Sequence, residues 1–338
     1  MTDLPNQLST DDVADENGLL FGRVLDGRGG ARPISWEDAQ TWSPANSHEV
    51  LWLHLDRTEH RVFKWLRGAM NLPEPTAEFL VSHETQPRAF QEDGALIATL
   101  RGVNFNPGAK PEDMIAMQIW ANESRVITLR RRRLQSPRDV QAALDAGHGP
   151  ITSGGLVTEL AEKLVEKISK AVLDMNDRID HLEQLDPEDD FDVALDDIAV
   201  IRRNCLALKR YMSPMHEALA TIGREAPVWM NEHNKRDVRE VIAKLHRYLE
   251  DLDVSKESAM LIQDDIDSRA ASQANKTMYL LSIVAAIFLP LGFITGLLGI
   301  NVGGMPGVNN SHAFAVTVVL LVILLGIQLY IFRKLKWL

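Results

Sequence analysis

The 338-residue sequence contains a single cysteine and one long stretch without any charged side chain. Because Cys205 has no partner for an intramolecular disulfide, the composition suits a reducing compartment and excludes a disulfide-stapled secreted domain. From Thr277 to Phe332, 56 consecutive residues include no Asp, Glu, Lys or Arg. All 47 carboxylates and 33 of the 36 basic residues therefore lie before this stretch. The sequence predicts a large acidic domain on a small membrane anchor, which excludes both a purely soluble enzyme and a protein with many membrane spans.

Basic residues are in the minority, and the formal net charge of −11 makes the protein a poor partner for nucleic acid. The run of four arginines at 130–133 follows a predicted strand and is interpreted as neutralising neighbouring carboxylates. No arrangement of nucleophile and base is specific enough to predict an enzyme. The acidic start of the chain also lacks the basic and apolar segments of a signal peptide.

Two apolar segments, 278–300 and 313–332, are each long enough to cross a hydrocarbon core of about 30 Å as a helix. Lys276 precedes the first segment, and Arg333 and Lys334 follow the second, whereas the loop between the segments has no basic residue. Positive charge marks the cytoplasmic side of membrane spans. We therefore expect a protein that crosses a bacterial-type inner membrane twice, with both termini in the cytoplasm.

The first 150 residues alternate short apolar segments with amphipathic ones, which predicts an α+β cytoplasmic domain. Strands are expected where short segments are rich in β-branched or aromatic residues and are bounded by Gly, Pro, Asn or Asp. These segments are residues 19–25, 50–56, 95–103, 114–120 and 125–130. Helices are predicted at residues 58–70, 76–82 and 137–145, and Ser136 is expected to cap the last of them.

Long helices are predicted for the rest of the soluble part, because apolar residues recur there every three or four positions. The pattern predicts a helical hairpin over residues 151–233 and a stalk helix over 234–276. Apolar positions of the stalk alternate by four and three from Val238 onward, and this heptad seam predicts association between subunits outside the bilayer. The remaining predicted parts are a membrane helix at 277–300, an external loop at 301–312, a second membrane helix at 313–332 and a basic cytoplasmic tail at 333–338.

The two membrane helices of one subunit cannot enclose a water-filled path, so a pore requires several copies. The second helix is almost wholly aliphatic, which fits contact with lipid, whereas the first carries small and polar residues that fit a pore wall. Gly299 is expected to end the first helix in the left-handed conformation, which leaves Asn301 at the outer mouth. There its amide oxygen is free to bind a cation, close to the negative ends of the helix dipoles.

The end of the first membrane helix resembles a known family. Gly299-Ile300-Asn301 matches, with Ile in place of Met, the Gly-Met-Asn signature of the CorA superfamily of divalent-cation transporters. The similarity covers residues 275–338 and includes Phe288-Leu289-Pro290. The Gly-Ile-Asn form is similar to that of the zinc-transporting branch, ZntB. The resemblance implies a funnel-shaped homopentamer in the inner membrane, with the first membrane helix lining the pore, Zn²⁺ as the transported ion and no cofactor.

The resemblance also implies which residues meet the ion. Gly299, Ile300 and Asn301 would form the filter at the outer mouth, which binds a largely hydrated ion. The pore-facing residues, whose spacing of three or four supports the set, are Asn275, Met278, Leu281, Ser282, Ala285, Leu289, Gly292 and Gly296. Among them, Met278, Leu281 and Leu289 would form an apolar constriction that gates by dewetting.

Charge near the expected ion path is uneven. The external loop has no carboxylate at positions where magnesium-transporting relatives often carry glutamates, and this difference favours the zinc branch. That branch is described as proton-coupled, yet the membrane segments contain no residue suited to a proton relay.

The tip of the helical hairpin is either a solvated turn or a ring that attracts cations. Its carboxylates are Asp186, Glu188, Asp189, Asp190 and Asp192.

The sequence therefore predicts a transporter that passes divalent cations, foremost Zn²⁺ and with H⁺ as a coupled ion, through a homopentameric pore. A Mg²⁺, Co²⁺ or Ni²⁺ channel stays open as an alternative, because one Met-to-Ile change barely constrains the ion. In a third hypothesis, the membrane helices merely anchor a cytoplasmic sensor or scaffold. The expected partners are the lipid bilayer, other copies of the chain and the transported ions, and not nucleic acid.

Overall fold

The structure is a computed structural model that describes residues 14–15, 17–110, 112–184, 191–300, 307 and 310–335, apart from the side chains of residues 191 and 192. The chain divides into two compact units, Met1–Ile262 and Gln263–Leu338. The first unit combines a β-sheet with helices, and the second contains two apolar helical segments. This architecture confirms the predicted α+β domain followed by a long helix and two membrane helices.

A seven-stranded mixed sheet forms the centre of the first unit. Its strands are β1 (Leu19–Leu25), β2 (Ala31–Pro33), β3 (Val50–Asp56), β4 (Arg88–Glu92), β5 (Ala95–Gly102), β6 (Ile115–Ala121) and β7 (Arg125–Arg130). The order across the sheet is β2-β1-β3-β7-β6-β5-β4. Neighbouring strands are antiparallel except for β3 and β7, which lie parallel with Leu51 opposite Arg125 and Asp56 opposite Arg130. The five predicted strands are all present.

The two strands that the sequence did not predict lie at the edges of the sheet. β2 has three residues, and β4 is only partly covered, with Arg88 and Gln91 exposed. Neither strand carries the apolar pattern on which the prediction depended, because an edge strand buries little of its surface.

Helices cover both faces of the sheet. One face packs against α1 (Trp36–Thr41), α2 (His60–Arg67) and α3 (Glu74–Val81), and their core includes Leu53, Trp65 and Leu80. On the other face lie α4 (Gln135–Asp145), α5 (Ser153–Glu183) and α6 (Phe191–Arg224). There the side chains of Leu134 and Leu164 approach β5 so closely that a Cβ at Gly102 would lie 2.8 and 2.6 Å from them.

The predicted cap of α4 is wrong. The helix begins at Gln135, with Leu134 at the N-cap position and no side-chain cap hydrogen bond. Ser136 lies inside the helix, where it is buried and its hydroxyl donates to the carbonyl oxygen of Lys163 over 3.2 Å. Ser136 therefore connects α4 to α5 instead of starting α4.

The long helix α7 (Glu232–Leu298) belongs to both units, and its first part packs against α5 and α6. The heptad positions Val238, Leu245 and Leu252 are almost completely buried within one chain. Side chains also join the helices, since Lys244 Nζ contacts Glu162 of α5 at 2.5 Å. The seam therefore serves the packing of a three-helix layer within the subunit, and the prediction that it joins subunits outside the bilayer is wrong for this part of α7.

In the second unit, α7 and α8 (Ala313–Lys334) each carry one partly covered stripe. The covered positions of α7 are Ile283, Ala286, Ile287, Pro290, Leu291 and Ile294. Those of α8 are Ala313, Thr317, Leu321, Leu324, Leu325, Gln328 and Phe332. Both sets recur every three or four residues, so each helix presents one face to the other and leaves the remaining surface exposed.

Candidate functional site

The predicted pore-lining residues share one exposed face of α7. All eight of them, from Asn275 to Gly296, are exposed in the single chain, and so are Gly299 and Ile300. With about 100° of rotation per residue, this face points roughly opposite to the stripe around Ile283 and Ile287 that is covered within the unit. The packing of the two helices thus leaves free the face that the sequence assigns to the pore.

The surface of this face is apolar with a few oxygen atoms. Met278, Leu281 and Leu289, the predicted constriction, have 63%, 68% and 74% of their surface exposed. The hydroxyl of Ser282 donates to the carbonyl oxygen of Met278 over 2.8 Å. Because its proton is committed to the helix backbone, the lone pairs of this hydroxyl are available to accept a hydrogen bond or to contact a cation.

The helix α7 ends differently from the expectation. Gly299 does not adopt the left-handed conformation that was predicted for it. Its N–H donates to the carbonyl oxygens of Thr295 at 3.0 Å and of Gly296 at 3.2 Å, and the N–H of Ile300 donates to Leu297 over 3.4 Å. The last turn therefore tightens from i→i−4 to i→i−3 hydrogen bonds, which is a common way to end a helix without a left-handed residue.

Several predicted site residues lie outside the described residues. Asn301, the expected ligand at the outer mouth, is one of them, together with four carboxylates of the acidic tip: Asp186, Glu188, Asp189 and Asp190. The side chain of Asp192 also lies outside the described part. Next to the tip, Arg178 on α5 and Asp197 on α6 form an ion pair at 3.2 Å, which joins the two arms of the hairpin.

One polar residue of the membrane segments was missed by the sequence analysis. Gln328 lies on the covered stripe of α8, and its buried Oε1 atom accepts no hydrogen bond from any described residue. Polar side chains inside a membrane span are rare, because a polar group without a partner is costly to place in hydrocarbon. The lone amide in an otherwise aliphatic helix was the available signal, and it was overlooked because the helix was assigned to lipid as a whole.

The first unit provides no preformed metal centre in its described part. No three His, Cys, Asp or Glu side chains are placed there to hold one ion. Cys205 is buried beside Met175, and burial raises the pKa of its thiol to about 11. Cys205 therefore behaves as a small core side chain and not as a metal ligand or nucleophile.

Comparison with known proteins identifies the family. Residues 47–334 match the family described as CorA-like Mg²⁺ transporter protein. The chain belongs to the CorA-like family. This match covers most of the first unit and both apolar helices, and so extends far beyond the C-terminal stretch on which the resemblance in the sequence depended.

Two relatives of the CorA-like chain match it over nearly its whole length. The divalent cation transporter CmaX of Pseudomonas aeruginosa is 36% identical over 327 residues, which cover 96% of this chain and 98% of that protein. The zinc transport protein ZntB of Yersinia enterocolitica is 33% identical over 325 residues, which cover 94% of this chain and 96% of that protein.

Solved structures support the same fold. The full-length CmaX structure has a TM-score of 0.83 at 35% identity and covers 96% of this chain and 99% of its own. The CorA magnesium transporter of Methanocaldococcus jannaschii has a TM-score of 0.76 at 15% identity, with 94% and 98% covered, and shows the fold alone. The CorA-like chain is therefore a two-span inner-membrane protein with a cytoplasmic domain, and it belongs among transporters of divalent cations and not among enzymes.

Proposed function

We propose that five copies of this chain form a central pore for divalent cations, foremost Zn²⁺, and that α7 lines the pore in each copy. The observation that carries the proposal is the free face of α7 in the second unit. This face contains Met278, Ser282 and Leu289, and it is turned away from the stripe covered within the unit. In a ring of subunits, five such faces would enclose a path that a single chain cannot.

Exposed apolar side chains of the first unit support an assembly. Large apolar side chains that the chain itself leaves uncovered are found on all three long helices. They are Leu173 on α5, Leu206 on α6, and Val254 and Leu261 on α7. Because their large apolar side chains are uncovered in the single chain, these positions replace the buried heptad seam as candidates for the contacts between subunits.

The ion would meet mostly neutral oxygen atoms along this path. Asn301 would supply an amide at the outer mouth, and Ser282 would supply a hydroxyl on the pore face. Neither group can remove all the water from a strongly hydrated dication, so the ion would pass with part of its hydration shell. The constriction of Met278, Leu281 and Leu289 would then close the path by excluding water when the ring narrows.

Zinc is favoured by the relatives and by the outer loop. ZntB proteins of several bacteria are named zinc transport proteins and are 31–33% identical to this chain. The loop also lacks the carboxylates that attract Mg²⁺. The chief alternative is a channel for Mg²⁺, Co²⁺ or Ni²⁺, because the few neutral oxygen atoms along the path do not distinguish these ions from Zn²⁺. The membrane segments contain no Asp, Glu, Lys or Arg. Proton coupling would therefore require titratable groups outside these segments.

The direct test is ion flux into proteoliposomes that contain the purified full-length protein. Zn²⁺ and Mg²⁺ uptake would be compared with and without a pH gradient, for the natural protein and for Asn301→Ala. We expect Zn²⁺ uptake that rises with the gradient and falls about fivefold or more in the variant, because loss of a ligand at the filter costs about 1 kcal/mol or more of ion binding.

A matched control is Asn309→Ala, which removes the same side chain from the same loop but outside the Gly-Ile-Asn tripeptide. Its uptake should equal that of the natural protein. Mg²⁺ uptake that ignores the pH gradient would retain the pore and reject zinc as its ion. No uptake of either ion by a folded pentamer would reject the transport proposal and favour a membrane-anchored sensor.

A further inference from the structure

A second site is indicated in the first unit, far along the chain from the membrane helices. A cavity of about 840 Å³ opens where β3 and β7 end. It is lined by the residues that follow these strands, Arg57 and Arg131, and by the ends of α2 and α3. Its volume lies in the range of sites that hold small organic molecules.

The topology makes this position a natural binding crevice. β3 and β7 are parallel neighbours, and their carboxyl ends lie side by side because Asp56 pairs with Arg130. The chain leaving β3 enters α2 on one face of the sheet, whereas the chain leaving β7 enters α4 on the opposite face. The two connections diverge and open a crevice, which is where sheets with parallel strands commonly bind ligands.

The cavity carries positive charge that no described carboxylate pairs with directly. Neither Arg57 nor Arg131 forms an ion pair within the described part of the chain. One N–H of Arg57 donates to the carbonyl oxygen of Ser82, which fixes its guanidinium at the cavity wall. Burial lowers the pKa of Arg57, and the neighbouring Arg131 and Arg101 lower it further, since each adds a like charge; Asp56 opposes them.

The other lining groups define the ligand. His60, His83 and Thr58 add hydrogen-bond donors, and Phe63 and Val81 add an apolar wall. Two carboxylates, Glu59 and Glu78, also line the cavity, and both are exposed. The combination of two guanidinium groups with donors and an apolar wall matches a ligand that has an anionic head and a flat or aliphatic body.

We infer that this cavity binds a small organic phosphate of about the size of a nucleoside monophosphate, with the phosphate at Arg57 and Arg131 and the organic group against Phe63 and Val81. The inference gives a role to Arg131, which the sequence analysis assigned to the neutralisation of nearby carboxylates. It stands independently of the transport proposal, because no residue of the cavity belongs to α7 or α8.

The test is isothermal titration calorimetry of the full-length protein in detergent, in buffer stripped of divalent cations, with AMP, adenosine and inorganic phosphate as probes. AMP should bind saturably, adenosine should show no binding, and inorganic phosphate should bind more weakly than AMP. Arg131→Ala should weaken AMP binding about tenfold or more, since a charge-assisted hydrogen bond is lost. Glu78→Gln should strengthen it, because a repelling carboxylate is removed.

Arg132→Ala is the matched control. It removes the same charge from the next residue, which is exposed and does not line the cavity. Its affinity for AMP should remain that of the natural protein. Equal losses in the two arginine variants would overturn the inference, because they would show attraction by general positive charge. Adenosine or inorganic phosphate binding as tightly as AMP, or no binding of AMP, would overturn it as well.

Discussion

The two units place the same kinds of side chain in opposite surroundings. In the first unit, Leu53 on the inner strand β3 is completely buried, whereas in the second unit Leu289 has 74% of its surface exposed. The first unit is stabilised in water by removing apolar surface from solvent. The second leaves apolar surface exposed to lipid and, in the proposed ring, to other copies, so its helices would depend on close packing and assembly rather than on the hydrophobic effect.

The largest expected effect is the difference in stability lost when a buried leucine and an exposed leucine are each replaced by alanine. Leu53→Ala should destabilise the first unit by about 2–5 kcal/mol, because it removes a fully buried side chain and leaves a cavity. Leu289→Ala makes the same chemical change on the exposed face of α7 and should cost less than about 0.5 kcal/mol. Thermal unfolding of the full-length variants in detergent measures both effects when it is followed by far-ultraviolet circular dichroism, which reports the sheet of the first unit and the helices of both units.

The expected difference between the two leucines would be contradicted if Leu289→Ala lowered the unfolding temperature as much as Leu53→Ala. That result would mean that the face of α7 is buried in the assembled protein as tightly as a domain core, which would not fit a water-filled pore. A small effect of Leu53→Ala on the unfolding temperature would instead mean that burial on β3 contributes little to the stability of the first unit.

The same contrast explains which elements were predictable from the sequence. The strands β3, β5, β6 and β7 are buried on both faces, so their near-continuous apolar runs identified them. β2 and β4 lie at the edges and had no such pattern. The N-terminus of α4 was misplaced because Ser136 has the side chain of a capping residue but donates to another helix, a tertiary contact that local sequence does not specify.

For the candidate site, the family resemblance supplied the predicted pore-facing positions, and their spacing of three or four residues was consistent with one face of α7. The sequence did not indicate which face of α7 would be covered by α8, because large apolar side chains occur all around α7. The heptad seam was assigned to contacts between subunits, but apolar positions such as Leu245 fit a neighbouring helix of the same chain equally well. The packing of side chains between helices, and not the periodicity of the sequence, determines which face of each helix is covered.

A smaller effect is expected from a test within the second unit, which asks whether the free face of α7 meets water and that of α8 meets lipid. Leu281 lies on the predicted pore face of α7, and Val319 lies on α8 away from its covered stripe; both are exposed in the single chain. A cysteine at position 281 should react with a charged thiol reagent that does not enter lipid whenever the ring is open, because water then reaches the constriction. A cysteine at position 319 should not react, because it faces hydrocarbon. Mass spectrometry of the protein in liposomes measures the labelled fraction.

The natural cysteine provides the background for this measurement. Cys205 is buried and the pKa of its thiol is raised to about 11, so very little reactive thiolate is present at neutral pH. The unsubstituted protein should therefore remain unlabelled until it is denatured. Equal labelling at positions 281 and 319 would contradict the assignment of α7 to the pore and of α8 to lipid.

The smallest expected effect concerns a polar contact of the first unit, which has no counterpart among the charge-free membrane helices. Lys209 on α6 donates to both carboxylate oxygens of Asp253 on α7 over 2.6 Å, and each side chain keeps about two fifths of its surface exposed. Water and salt weaken such a pair, so a double-mutant cycle with Lys209→Met and Asp253→Asn should give a coupling energy of about 0.2–1 kcal/mol that decreases as salt is added. A coupling above this range, or one insensitive to salt, would show that the pair is shielded from solvent in the assembled protein, and would identify this side of α6 and α7 as part of a contact between subunits.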